Sequence, residues 1–247
     1  MSNSLLLAPL LALSLLLNGC GKKEVRASVP PAPSLPPTES GTASPAPSAA
    51  ANVPNTSITL PPANAKPLYT QIGIASWYGP PYHNRRAANG EIYDMNQMTA
   101  AHRTLPLNSL VRITNLSTGH SAIVRITDRG PFIGERMIDL SLAAAKATDV
   151  WKAGLAWVRL EVLQTPVPID TGGKWAVQIG AFDSTQVATK MKHELEQQYN
   201  TAKILEFAGP TGEWVRIRVP NDDKDEAEEI SRTLTTPEGG VFLVRLD

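Results

Sequence analysis

Leu110-Val111-Arg112-Ile113-Thr114-Asn115 and Ala122-Ile123-Val124-Arg125-Ile126-Thr127-Asp128 flank Ser117-Thr118-Gly119. Apolar and polar residues alternate in both runs, the pattern of a strand with one buried face. The Ser-Thr-Gly segment supplies the turn between them. The phrases Val111–Asn115 and Val124–Asp128 nearly repeat. Working outward, Ile72–Tyr78 and Ala156–Leu163 read as further strands. One helix starts at Ser141, whose side chain can accept from the first free N–H groups, and runs through Leu142–Lys146. Many short strands over residues 69–165 predict a mainly β unit, a small closed barrel.

Residues 173–247 predict a second, α+β unit in the order βαββαβ. The strands are Trp175–Phe182, Ala202–Ala208, Trp214–Val219 and Val241–Leu246; the helices are Ser184–Tyr199, capped by Asp183, and Asp223–Leu234. Alternation puts Trp214, Arg216 and Arg218 on one face and Val215, Ile217 and Val219 on the other. Gln178 and Phe182 oppose the row Trp175, Val177, Ile179. Two helices cover one face of such a sheet, which leaves the other face free to bind.

Residues 1–19 read as a signal peptide. Leu5–Leu17 is almost wholly apolar but too short to span a bilayer. Leu17-Asn18-Gly19-Cys20 reads as a bacterial lipobox, with Gly19 before the cleavage point and Cys20 as lipid acceptor. Acyl chains there anchor a protein to a membrane at about 0.8 kcal/mol per buried methylene. Gly21 rather than Asp after the cysteine implies passage to the outer membrane. Residues 20–68 then form a disordered tether. Residues 21–67 hold 11 of the 21 prolines and no aromatic residue, so they bury too little apolar area to offset their ordering entropy.

Charge and cysteine content exclude several classes. Lys+Arg and Asp+Glu are both 23, without the basic surplus of a nucleic-acid binder. Cys20 is the single cysteine, which rules out an intrachain disulfide and a cysteine-rich zinc site. No pair among the four histidines has metal-ligand spacing, and no nucleotide or organic cofactor motif is present.

Candidate chemistry begins where the apolar strand ends. Alternation places Val124, Ile126 and Asp128 on one face, and Gly130-Pro131 turns the chain away. A carboxyl at the rim of an apolar surface is partly desolvated and holds its proton to higher pH, as a general acid requires. A second cluster lies upstream: Trp77-Tyr78-Gly79, Tyr82, the turn Asn89-Gly90 with Glu91 behind it, and Thr99-Ala100-Ala101-His102. Aromatic rings stack on sugar faces and carboxylates work on glycosidic oxygens, so the set points to a saccharide site. Asp139, just before the helix cap at Ser141, reads as structural.

Together, Ala75-Ser76-Trp77-Tyr78-Gly79, Asn89-Gly90-Glu91, Tyr93-Asp94, Thr99–His102 with Thr104-Leu105-Pro106, Asp128–Phe132 and Ile138-Asp139-Leu140-Ser141 resemble the rare lipoprotein A family. The resemblance implies a six-stranded double-psi β-barrel followed by a SPOR domain. It implies a septal lytic transglycosylase that forms 1,6-anhydro-muramic ends, with Asp128, Glu91 and His102 as the catalytic set. Asp128 is implied as acid/base, although either Asp128 or Glu91 fits as proton donor. Trp175–Phe182 resembles the SPOR signature, which implies that Gln178, Ala181, Trp214 and Arg216 contact septal glycan stripped of stem peptides. Ala87 and Ala181 stand where relatives carry Thr and Ser. Two other readings remain: an expansin-like wall-binding protein without catalysis, and a hydrolase that pairs Glu91 with Asp128.

Overall fold

The computed structural model describes Pro62 and residues 65–209, 212–236 and 240–247. The signal peptide, the lipid acceptor Cys20 and nearly all of the tether lie outside the described residues. Among those described, no helix is long and apolar enough to cross a membrane.

Six strands close into a barrel: β1 (Tyr69–Trp77), β2 (Thr99–His102), β3 (Leu110–Asn115), β4 (Ser121–Asp128), β5 (Arg136–Leu140) and β6 (Ala156–Gln164). Their order is β1-β5-β2-β4-β3-β6. The β1/β5 and β2/β4 pairs are parallel and the other pairs antiparallel. Val111, Ile113, Val124, Ile126, Ile138, Leu140, Val158 and Leu160 fill the interior, each contributing about 1.5–3 kcal/mol by leaving water. Helix α1 (Leu142–Ala147) starts at Ser141, whose Oγ accepts from the Ala144 N–H at 3.1 Å. A one-turn helix, α2 (Val150–Ala153), follows.

Two irregularities decide which way the functional side chains point. Between β2 and β4, Ala100 pairs with Ile126 but Ala101 pairs with Asp128, so Thr127 is an extra residue. A bulge reverses the alternation beyond it. Asp128 therefore lies on the outer face with Ala101, not on the inner face with Val124 and Ile126, contrary to simple alternation. Between β1 and β5, Ile74 pairs with Arg136 and Ala75 with Ile138. Met137 is the extra residue there; it and Ile138 both turn inward, leaving Arg136 and Asp139 outside.

The second sheet comprises β7 (Trp175–Phe182), β8 (Lys203–Gly209), β9 (Gly212–Arg218) and β10 (Gly240–Arg245), antiparallel in the order β10-β7-β9-β8. Helices α3 (Thr185–Gln198) and α4 (Lys224–Thr233) pack Ala188, Leu195, Ala227 and Ile230 onto Val177, Ile179, Val215 and Ile217. Ser184, not Asp183, caps α3: its Oγ accepts from the Val187 N–H. Phe182 also departs from alternation. Gly180 pairs with Trp214 and Phe182 with Glu213, so Ala181 is a bulge residue and Phe182 turns into the helix-side core instead of joining Gln178.

The opposite face of this sheet is covered where alternation left it free. Phe132, carried by the Gly130-Pro131 turn of the barrel, stands 5.4 Å from the Trp214 ring and 5.7 Å from the Phe242 ring. Arg129 Nη2 donates to the Asp247 carbonyl at 2.6 Å, and the Arg245 N–H donates to the Arg103 carbonyl at 3.0 Å. Trp214, beside Phe132, is only 4% exposed, and Gln178 is 3% exposed.

Candidate active site

Four paired positions place one row of side chains across the outer face of the barrel. Ala101 on β2 pairs with Asp128 on one side and with Asp139 on the other, and Asp139 pairs with Ser76 on β1. Paired residues point the same way, and neighbouring strands lie about 4.8 Å apart. The two carboxylates therefore flank a residue with no side chain beyond Cβ, their Cα atoms about 10 Å apart by that spacing. Tyr78, two residues beyond Ser76 and on the same side of β1, stacks on Tyr93 at 4.3 Å and meets the edge of Tyr82 at 5.7 Å. These rings, with Ala87 and Ala101, form a small apolar cluster of their own.

Asp128 Oδ1 accepts from the Ala88 N–H at 3.0 Å and from the Arg129 N–H at 2.8 Å. Its Oδ2 accepts no hydrogen bond from any described residue. Burial pushes the carboxyl above its ordinary pKa, against the two N–H groups and the Arg129 charge. Asp139 is also raised by burial. Its Oδ1 accepts from Ser76 Oγ at 2.6 Å, and its Oδ2 pairs with Arg136 Nη2 at 3.1 Å. Arg136 thus bonds one oxygen of Asp139, whereas among the described residues no side-chain cation bonds Asp128, and burial raises both carboxyls.

Glu91 takes a different place. Both its oxygens bind Arg125, at 2.8 and 2.7 Å, and its N–H donates to Asn89 Oδ1. The hydrogen bond from Arg125 holds its carboxyl below the ordinary range, whereas burial raises that of Asp128. Arg125 pairs with Thr99, two residues along β2 from Ala101, which sets the Glu91 pair one level from the central row. Glu91→Gln removes a half-exposed pair; we expect chemical denaturation to show a stability change within about 1 kcal/mol. A larger loss of turnover in that variant is then a loss of chemistry.

His102 is not brought to this face. It pairs with Ile138, on the inner side of β2 from Ala101, and is 4% exposed. Its Nδ1 accepts from the Thr104 and Leu105 N–H groups at 3.1 and 3.0 Å. Burial, then Arg103 and Arg129, lowers its pKa to about 3. Its imidazole bonds its own turn and lies on the other side of β2 from Ala101.

On the second sheet, Gln178 pairs with Arg216 and Gly180 with Trp214, so Gln178, Trp214 and Arg216 share one side, with Ala181 as the bulge residue beside them. Gln178 Oε1 accepts from Arg216 Nε and Nη2 at 3.2 and 2.6 Å, and Arg216 lies 4.8 Å over Phe207. Ala181 and Arg216 are half-buried. Among the described residues no three His, Cys, Asp or Glu side chains converge as a metal site.

Asp139, expected to be structural, shares the face with Asp128, and Ser76 and Arg136, the latter not singled out in the sequence, bond its two oxygens. The usable signal was Ala100-Ala101: two small residues in a buried strand leave room beside whatever flanks them.

Residues 70–160 match the family model for a lytic transglycolase, and residues 171–244 match that for the SPOR domain. The endolytic peptidoglycan transglycosylase RlpA of Vibrio cholerae is 53% identical over 150 residues, 58% of this chain and 57% of that protein. The protein of the same name from Pseudomonas aeruginosa PAO1 is 53% identical over 103 residues, 42% of this chain and 30% of that protein. The Helicobacter pylori 26695 protein is 40% identical over 154 residues, covering 51% and 49%. The chain thus spans less than two thirds of the length of these curated relatives. Among solved structures, a Streptomyces papain inhibitor aligns at 17% identity and a TM-score of 0.33, over 41% of this chain and 100% of that one. Apo-expansin of Clavibacter michiganensis aligns at 16% and 0.33, over 62% and 81%.

Proposed function

Because the chain belongs to the rare lipoprotein A family, we propose that it is an endolytic peptidoglycan transglycosylase. It cuts the β-1,4 bond from N-acetylmuramic acid to N-acetylglucosamine in strands free of stem peptides. The observation that carries this reading is the pair Asp128 and Asp139 on either side of Ala101, one carboxyl with a free oxygen, the other bonded by Ser76 and Arg136.

Asp128 gives its proton to the glycosidic oxygen as the bond from the muramic anomeric carbon breaks. Positive charge gathers on that carbon and ring oxygen, and Asp139 stands opposite as an anion. The 6-hydroxyl of the same sugar then attacks the anomeric carbon and returns its proton to Asp128. A 1,6-anhydro ring forms, no water is consumed, and the acid is regenerated.

Location belongs to the same proposal. The lipobox Leu17–Cys20 and Gly21 support a lipid anchor on Cys20 at the periplasmic face of the outer membrane. The SPOR sheet supports recruitment to denuded glycan at the division septum, through Gln178, Ala181, Trp214 and Arg216. Glycan reaches Trp214 only when Phe132 moves off it. Digestion of purified peptide-free strands, with mass analysis of the fragments, tests the activity: anhydro ends are expected, and hydrated reducing ends would refute the transglycosylase reaction.

A further inference from the structure

One level along the barrel from the two acids lies a second outward row. Arg136 on β5 pairs with Ile74 on β1, and Ile74 pairs with Trp157 on β6. Ile74 precedes Ser76 by two residues, so the rows are about 6.7 Å apart. Trp157 is 57% exposed, with Ile72 and Leu155 exposed beside it. A large ring left in water on the face that carries the acids marks a binding surface. Arg136 spends Nη2 on Asp139, its Nη1 has no partner among the described residues, and the side chain is 29% exposed. A guanidinium with donors to spare beside the reaction centre suits a second carboxylate.

We infer that Arg136 takes the free lactyl carboxylate of the muramic acid under attack, and that Trp157 stacks on the adjacent sugar of the same strand. This rests on the transglycosylase reading and assigns its choice of substrate to named side chains. A stem peptide turns the lactyl carboxylate into an amide, which removes the charge Arg136 pairs with and adds bulk over Ile74. Strands free of peptide keep the charge. Arg136 is thus a specificity-determining residue, and Trp157 supplies binding shared by ground and transition states.

The test uses the full-length protein on two matched sets of peptide-free strands, one with free lactyl carboxylates and one with those groups converted to methylamides. Wild type is expected to favour the free acid by about tenfold in kcat/KM. Arg136→Gln is expected to abolish that preference and Arg136→Lys to restore part of it, with melting temperatures confirming that each variant folds. Trp157→Ala is expected to raise KM about tenfold with kcat within twofold, and Trp157→Phe to recover most of the loss. Equal cutting of both sets by wild type, a preference kept by Arg136→Gln, or an unchanged KM in Trp157→Ala overturns the inference alone. Failure of wild type to cut either set overturns the transglycosylase reading and this inference together.

Discussion

Asp128→Asn is expected to lower turnover on peptide-free strands by about 10²–10⁴-fold, the usual cost of losing a positioned general acid. The fold should survive, because an Asn oxygen can still accept from the Ala88 and Arg129 N–H groups that now bind Oδ1. Equal melting temperatures for variant and wild type would establish this. The pH profile supplies a second readout. The acid must be protonated to work, and burial raises its pKa. Activity should therefore fall as pH rises through that raised pKa, and the residual activity of Asp128→Asn should lack this limb. A variant that retains the limb would assign the proton to another group.

Acid should unfold the barrel through His102. Its pKa falls from an ordinary 6.5 to about 3 in the folded chain. Above 6.5 the imidazole is neutral in both states and its contribution is complete. As pH drops from 6.5 towards 3, the unfolded chain takes up a proton that the folded one refuses, and stability declines by an amount on the order of a few kcal/mol. Urea denaturation at several pH values measures this. The carboxylates contribute to the same slope, so the comparison is with His102→Gln, whose stability should decline less across that window. His102→Gln should also lower stability at neutral pH, because the Thr104 and Leu105 N–H groups lose a well-placed acceptor. A loss of turnover without a loss of stability would place His102 in the chemistry.

Much of the architecture was legible because alternation and capping are local. The strands at 110–115 and 122–128, the cap at Ser141 and the βαββαβ order all follow from neighbours in sequence. β2 and β5 were not placed, for physical reasons. Thr99–His102 is four residues long and wholly buried, so it shows no alternation. β5 turns Met137 and Ile138 inward in succession, which breaks the period that would have revealed it. Alternation puts Asp128 on the inner face and the structure puts it on the outer one, since a bulge depends on the partner strand and leaves no mark on its own. Asp139 looked structural because its distance from Ser141 is visible in sequence, whereas its shared neighbour Ala101 is visible only once β2 lies between β4 and β5. The face of the second sheet was read as open because nothing local shows that Phe132 reaches it.

The extra residue Thr127 carries a consequence for how such a protein can change. No substitution can move the acid across the wall of the barrel, since the direction of Asp128 is set by residue count, not residue type. Loss of the Thr127 codon would turn the carboxyl into the hydrocarbon interior while leaving every motif letter intact. Gain of a codon at the same point in a mute relative would expose one. Length variation at this joint, more than drift in its chemistry, decides whether that carboxyl faces outward.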